Sequence, residues 1–211
     1  MTFRRRSLPL LAAGLIGYPV CILAYWWLNP AYGLIDSAAI LRADVGHETI
    51  ATIATVFALA GCLLSIPATL AAMLAIGDES PKLAIVGGAM SIVGWVAVFG
   101  TVVLDPVAVQ FVAHGSPANE LTDLFSRIAN SPTIIGLNAL AGLHLVGGIL
   151  LGVAFWRTRL VPRWAAVILI IGGPIHFASN LGGILAIDSA TWIALVAANV
   201  TILRALRSSP P

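Results

Sequence analysis

The chain has 211 residues, of which 59% are hydrophobic and only 9% charged, with a mean hydropathy of +0.99. Soluble domains carry roughly 25% charged residues, and so few polar groups cannot cover a water-facing surface, which excludes an ordinary soluble domain. The net charge of +2 gives no basis for nucleic-acid binding. Composition therefore predicts a multi-pass membrane protein.

The first apolar run follows Arg4, Arg5 and Arg6 and ends on Tyr25, Trp26 and Trp27. At about 20 residues it is longer than the apolar core of a cleavable signal. Its aromatic end reads as an interface anchor, which predicts a retained first span at 8–28. Further spans are predicted at 50–76, 83–104, 133–156, 164–182 and 184–204. The last span cannot start as late as Ser189, because only about 15 residues would then precede Arg204. Gly182-Gly183 is therefore expected to form the turn, with Asp188 about one turn inside the final helix. Cys21 and Cys62 lie inside apolar runs and read as small packing residues. Ala13-x₃-Gly17, Gly87-x₃-Ser91 and Gly148-x₃-Gly152 read as helix contacts.

The basic residues orient the spans. Arg4, Arg5, Arg6, Lys82, Arg157, Arg159, Arg163, Arg204 and Arg207 fall on one side, against only Arg42 and Arg127 on the other. The positive-inside rule then predicts cytoplasmic termini in a plasma membrane. Asp36, Asp44, Glu48, Asp105, Glu120, Asp123 and Asp188 lie on or near the outer side. The long outer segment 105–132 contains Leu121, Leu124, Phe125 and Ile128 at i, i+3, i+4, i+7, which predicts a short amphipathic helix. Ser116 suits its cap and Pro117 its first position. Such a helix lies on the membrane surface or over an outer pocket. The predicted fold is thus an all-α bundle of six transmembrane helices in a single domain, 1–211.

Polar residues inside the spans are the candidate functional groups. His144 is central to the fourth span and His176 to the fifth, and the short connection makes these spans antiparallel neighbours. His144, Gly148 and Gly152 share one helix face, as do Gly172, His176 and Asn180. Pro174 adds a kink and frees a carbonyl one turn earlier. Asn199 is a further polar group that needs a partner.

Four readings follow. In the plainest, glycines bring the helices close and the imidazoles hydrogen-bond across the interface. In the leading functional one, a pocket between the second, third, fourth, fifth and sixth spans opens outward and takes a small or amphipathic ligand. His144, His176, Asn138 and Asn180 would line it, with Asp105, His47 and Asp188 near the entrance. The alternative is a b-type haem held axially by His144 and His176, passing electrons. The last is a membrane enzyme with an outer metal site drawn from Asp44, His47, Glu48, Asp105 and His114. No HExxH, G-x-S-x-G, P-loop or Rossmann pattern occurs, so the sequence leans away from an enzyme. The lipid bilayer is the expected partner, alongside a small or lipophilic ligand and a homo-oligomer or larger membrane complex.

The stretch Leu150–Phe177 carries Trp156, Arg157, Val161, Pro162, Arg163, Trp164 and Ala165, followed by Gly172, Gly173 and Pro174. This W-R-x-x-x-V-P-R-W-A inner loop and G-G-P turn resembles a group of small multi-pass membrane proteins of high-GC Gram-positive bacteria. That resemblance implies a fold and a location but no reaction. The six-span plan is also similar in shape to the substrate-binding subunits of vitamin importers, which bind ligand near the outer face. None of their motifs is present.

Overall fold

A computed structural model describes residues 2–34, 36–104, 107, 110 and 118–208. Nine helices are bounded among them: α1 Thr2–Leu28, α2 Ser37–Asp44, α3 Glu48–Ile76, α4 Pro81–Val102, α5 Ala118–Ala129, α6 Pro132–Ala141, α7 Leu143–Thr158, α8 Arg163–Leu181 and α9 Leu185–Ser208. Six segments are long and apolar enough to cross a membrane: Ser7–Leu28, Glu48–Ile76, Pro81–Val102, Pro132–Thr158, Arg163–Leu181 and Leu185–Ser208. The chain is a multi-pass membrane protein. With six crossings both termini share one end of the bundle, here called the terminal end. The short helices α2 and α5 lie at the opposite, loop end.

The spans are sorted by side-chain size. On α3 the buried positions include Ala51, Ala54, Ala58, Gly61, Cys62, Ser65, Ala68 and Ala72, a small-residue stripe at helical spacing. Ile53, Val56, Leu63, Leu70 and Leu74 of the same helix are exposed. Lipid is as apolar as leucine, so large aliphatic residues gain nothing by facing inward. Small residues there let helix backbones approach. A Cβ on Gly14 would lie 2.6 Å from the Ala68 nitrogen, which locks α1 against α3. Gly147 meets Gly87 and Ser91 in the same way and locks α7 against α4.

Pro19 within α1 leaves a carbonyl that a distant residue serves. Pro19 has no N–H, so the Leu15 carbonyl lacks its intrahelical donor. Asn199 of α9 fills the gap, its Nδ2–H donating to Leu15 O at 2.7 Å. That is the partner Asn199 needs.

One expected span is interrupted. The run predicted at 133–156 is two helices that meet at Gly142. There the Leu145 N–H turns back three residues to the Gly142 carbonyl, 3.2 Å away. The local turn tightens and the Ala141 carbonyl loses its usual donor. The first helix begins at Thr2, ahead of its apolar span at Ser7–Leu28. Gly183, at φ +64°, makes the predicted turn before α9.

The terminal end is closed by a hydrophobic cluster that includes Leu11, Leu15, Ile76, Phe155, Ile202 and Leu206. Arg163 stacks over Trp156, 5.4 Å from its ring centre, at the same end.

Candidate functional site

Above that plug the bundle opens into a cavity of about 360 Å³. Its walls are apolar and aromatic, among them Ile22, Tyr25 and Trp26 of α1, Ala58 and Cys62 of α3, and Trp95 of α4. Ile40 of α2 and Phe125 and Ala129 of α5 roof it. Phe125 and Leu121 pack with Leu41 and Leu104, which fixes the roof helices to each other. The amphipathic α5 thus covers a pocket, as one of its two sequence readings holds; Ser116 and Pro117 lie outside the described residues.

His144 and His176 both line this cavity, together with Asn138. They also line a smaller cavity of about 80 Å³ beneath it, with Tyr18, Ser91 and Trp192. A third, of about 70 Å³, continues toward the terminal end past Ser65, Thr69 and Asn199. Trp95 borders all of these spaces.

The Nδ1 atoms of the two imidazoles bond to other partners rather than to each other. His144 Nδ1 lies 2.5 Å from the Ala141 carbonyl, the one released by the break at Gly142. A carbonyl oxygen only accepts, so Nδ1 carries the proton and Nε2 the lone pair. His176 Nδ1 lies 2.7 Å from Asp188 Oδ1. The carboxylate takes that N–H in the same way. Each ring is therefore oriented by an acceptor at Nδ1, and Nε2 takes no part in that bond.

Asp188 is fully buried, while the His176 side chain retains 16% exposure. Its second oxygen accepts from the Tyr32 hydroxyl at 3.3 Å. The Tyr32 phenol is pushed up to about 12 by burial first, then by the Asp188 charge and hydrogen bond, so it remains a donor at neutral pH. Tyr32 is placed by its neighbour Gly33, at φ +75°, where a Cβ would come within 2.7 Å of the Gly183 Cα. Only glycine allows that approach.

Aromatic rings enclose the pair. Trp26 and Trp192 flank His176 at ring-centre distances of 5.5 and 5.0 Å. Trp95 packs 4.6 Å from His144. The indole nitrogens of Trp26 and Trp192 are buried without a hydrogen-bond partner. By contrast, Trp27 Nε1 donates to Ser189 Oγ at 2.9 Å.

The other expected site residues are spread out. Asn180 does not line the large cavity; its carbonyl accepts the Gly183 N–H at the end of α8. His47 precedes α3 and is exposed, without a side-chain capping bond. Its neighbour Asp44 is buried, with one carboxylate oxygen unpartnered; burial raises the Asp44 pKa and His47 opposes that shift. Asp105 and His114 lie outside the described residues. Among the described residues no group of three or more metal-ligating side chains comes together.

The pocket wall also differs from expectation. The second, third, fourth, fifth and sixth spans were expected to form it, but the first also supplies Ile22, Tyr25 and Trp26. Tyr25, Trp26 and Trp27 all read as lipid-interface anchors, and that signal does not say which of the three turns inward. Tyr32 carried no signal of its own.

A family described as a domain of unknown function, DUF4386, has a model that matches residues 10–206. No curated protein and no solved structure matches the chain.

Proposed function

The chain belongs to the DUF4386 family, and we propose that it binds, and moves or presents, a small amphipathic ligand in a pocket that opens to the outer face of the plasma membrane. The observation that carries this reading is the convergence of His144, His176 and Asn138 on one cavity of about 360 Å³ with otherwise apolar, aromatic walls. A few placed polar groups in an apolar concavity are the usual composition of a small-molecule site. The outward direction is supported by the arginine distribution, which under the positive-inside rule favours cytoplasmic termini.

The test is cavity filling. Indole, a small amphipathic aromatic, should raise the thermal unfolding midpoint of the purified protein, as any ligand of the native state does. Ala129→Trp places a large ring in the roof and should abolish that shift. Equal stabilisation of both proteins would refute the pocket.

A second reading is favoured by the engaged Nδ1 atoms. Metal-ligating histidines characteristically donate the other ring nitrogen to a carbonyl or carboxylate, as His144 and His176 do. A b-type haem between them would make the protein an electron carrier. An oxidised and a dithionite-reduced absorption spectrum decides it. A haem spectrum lost in His144→Ala/His176→Ala would establish the cytochrome, and a colourless protein after haem is supplied during expression would dismiss it.

A further inference from the structure

Where the large cavity opens is legible in its lining. Of the described residues around it, Asn138 on α6 is the only exposed one. The α2 and α5 roof covers the loop end, and the hydrophobic cluster closes the terminal end. The opening therefore lies at the side of the bundle, beside α6.

Two helix faces account for it. A Cβ on Gly152 of α7 would collide with Leu169 and Ile170 of α8, and Leu145 lies against Gly173 in the same way. Read toward the loop end, the α7 stripe of Gly152, Gly148 and Leu145 continues at Ala141 and Asn138 of α6. On α8 the stripe of Ile170 and Gly173 continues at Phe177 and Leu181. Up to the break at Gly142 the two faces are packed. Beyond it they are not. No residue of α6 is buried, and that helix packs mainly on α4. Phe177 is 55% exposed and Leu181 52%. The break thus parts α6 from α8 and leaves a cleft beside Asn138.

Depth and charge say what the cleft admits. The span Pro132–Thr158 has 27 residues and is about 40 Å long, against about 30 Å of hydrocarbon. Asn138 stands about 9 Å along it from Pro132, just inside the hydrocarbon edge. A bare amide is costly there, and a ligand with its own hydrogen-bonding group relieves that cost. No lysine, arginine, aspartate or glutamate is among the described residues lining the cavity. A charged group drawn in would find no counter-ion.

We propose that the cavity opens sideways, through the cleft between α6 and α8, into the loop-end leaflet, and that its ligand is an uncharged amphipathic lipid of that leaflet. The chain of the lipid fills the aromatic cavity and its polar head bonds Asn138 in the cleft. This rests on the pocket reading above and names that pocket's entrance and ligand class.

Two photoreactive lipids test it, a diacylglycerol and a phosphatidylglycerol that carry the same diazirine-tipped acyl chain. Each is mixed into nanodiscs holding the full chain and illuminated, and labelled residues are mapped by mass spectrometry. Exposed midspan residues, Leu63 and Val93, should be labelled equally by both. The diacylglycerol should also label Cys62 and Trp95, which are buried from the surrounding lipid but line the cavity. It should do so about tenfold or more above the phosphatidylglycerol, whose phosphate would lie unpaired.

Asn138→Trp, which fills the cleft, should abolish labelling of Cys62 and Trp95 and leave that of Leu63 and Val93. Asn138→Ala keeps the cleft open and should lower cavity labelling by about two- to tenfold, the scale of one hydrogen bond. Wild-type label confined to lipid-facing residues overturns the side entrance, whether or not the variants fold. Equal labelling of the cavity by both lipids overturns the uncharged class. Spontaneous disulfide coupling of two copies through Phe177→Cys would put a second copy in the cleft and overturn the proposal as well. If indole still raises the unfolding midpoint while no lipid enters, the pocket stands and its side entrance falls. If neither binds, the pocket reading falls too.

Discussion

Tyr32 reaches Asp188 because Gly33 rests on Gly183, and the contact sets the pH response of the site. The folded-state pKa of Tyr32 is raised from 10.0 to about 12. Folding therefore favours the neutral phenol. The stability it contributes is fully present below about pH 10 and is lost as pH rises toward about 12. The unfolding midpoint of the wild-type protein should fall more steeply across that window than that of Tyr32→Phe, which has no phenolic proton. Parallel curves would show that the hydroxyl does not face the carboxylate. The pairing itself was not legible in the sequence. Asp188 could be placed one turn inside its helix, but His176 and Tyr32 meet it only through the geometry of two glycine turns. Local pattern does not encode such contacts.

Between helices, the fold depends on where side chains are missing. A Cβ on Gly94 would collide with the backbone nitrogen and Cα of His144. Gly94→Ala should therefore separate α4 from α7, lower the unfolding midpoint by the equivalent of about 1–3 kcal/mol, and displace His144 from the cavity. Gly136→Ala in α6 is the control, since nothing lies within 4 Å of its Cβ. An equal loss in both would refute the close packing.

The spans were readable at this scale because about 20 apolar residues leave a continuous signal. The break at Gly142 was not, because the run stays apolar across it and Gly142 keeps helical angles, φ −56° and ψ −19°. Only the hydrogen bonds change register there. The stripes of small residues were visible, but Gly147 rather than Gly148 makes the tight contact with α4. A one-residue difference on a helix face depends on its neighbours.

For the whole molecule, the arrangement of charge gives a direction to the cavity. Asp36 lies at the loop end and Glu79 at the terminal end, and both are exposed. If the positive-inside assignment holds, Asp36→Cys should react in intact cells with a membrane-impermeant maleimide. Glu79→Cys should react only after permeabilisation. The opposite pattern would turn the pocket toward the cytoplasm and reverse the proposed route of the ligand. The overall architecture was the most legible part of this chain, since hydropathy and loop charge are properties of whole segments. The site was the least, since it is assembled from α1, α3, α4, α6, α7, α8, α9 and the connection after α1.

The bond from Asn199 to Leu15 also bears on how the chain is made. Its partners stand 184 positions apart, and ribosomes add about 5–20 residues per second. The first helix thus waits on the order of ten to forty seconds for the amide that completes it. Trp27 waits similarly for Ser189, and Tyr32 for Asp188. Until the last helix is synthesised, the first has an open carbonyl and an unpaired indole. Early translation products therefore need a temporary neighbour, and a chain stopped before residue 185 would stay a client of whatever shelters it.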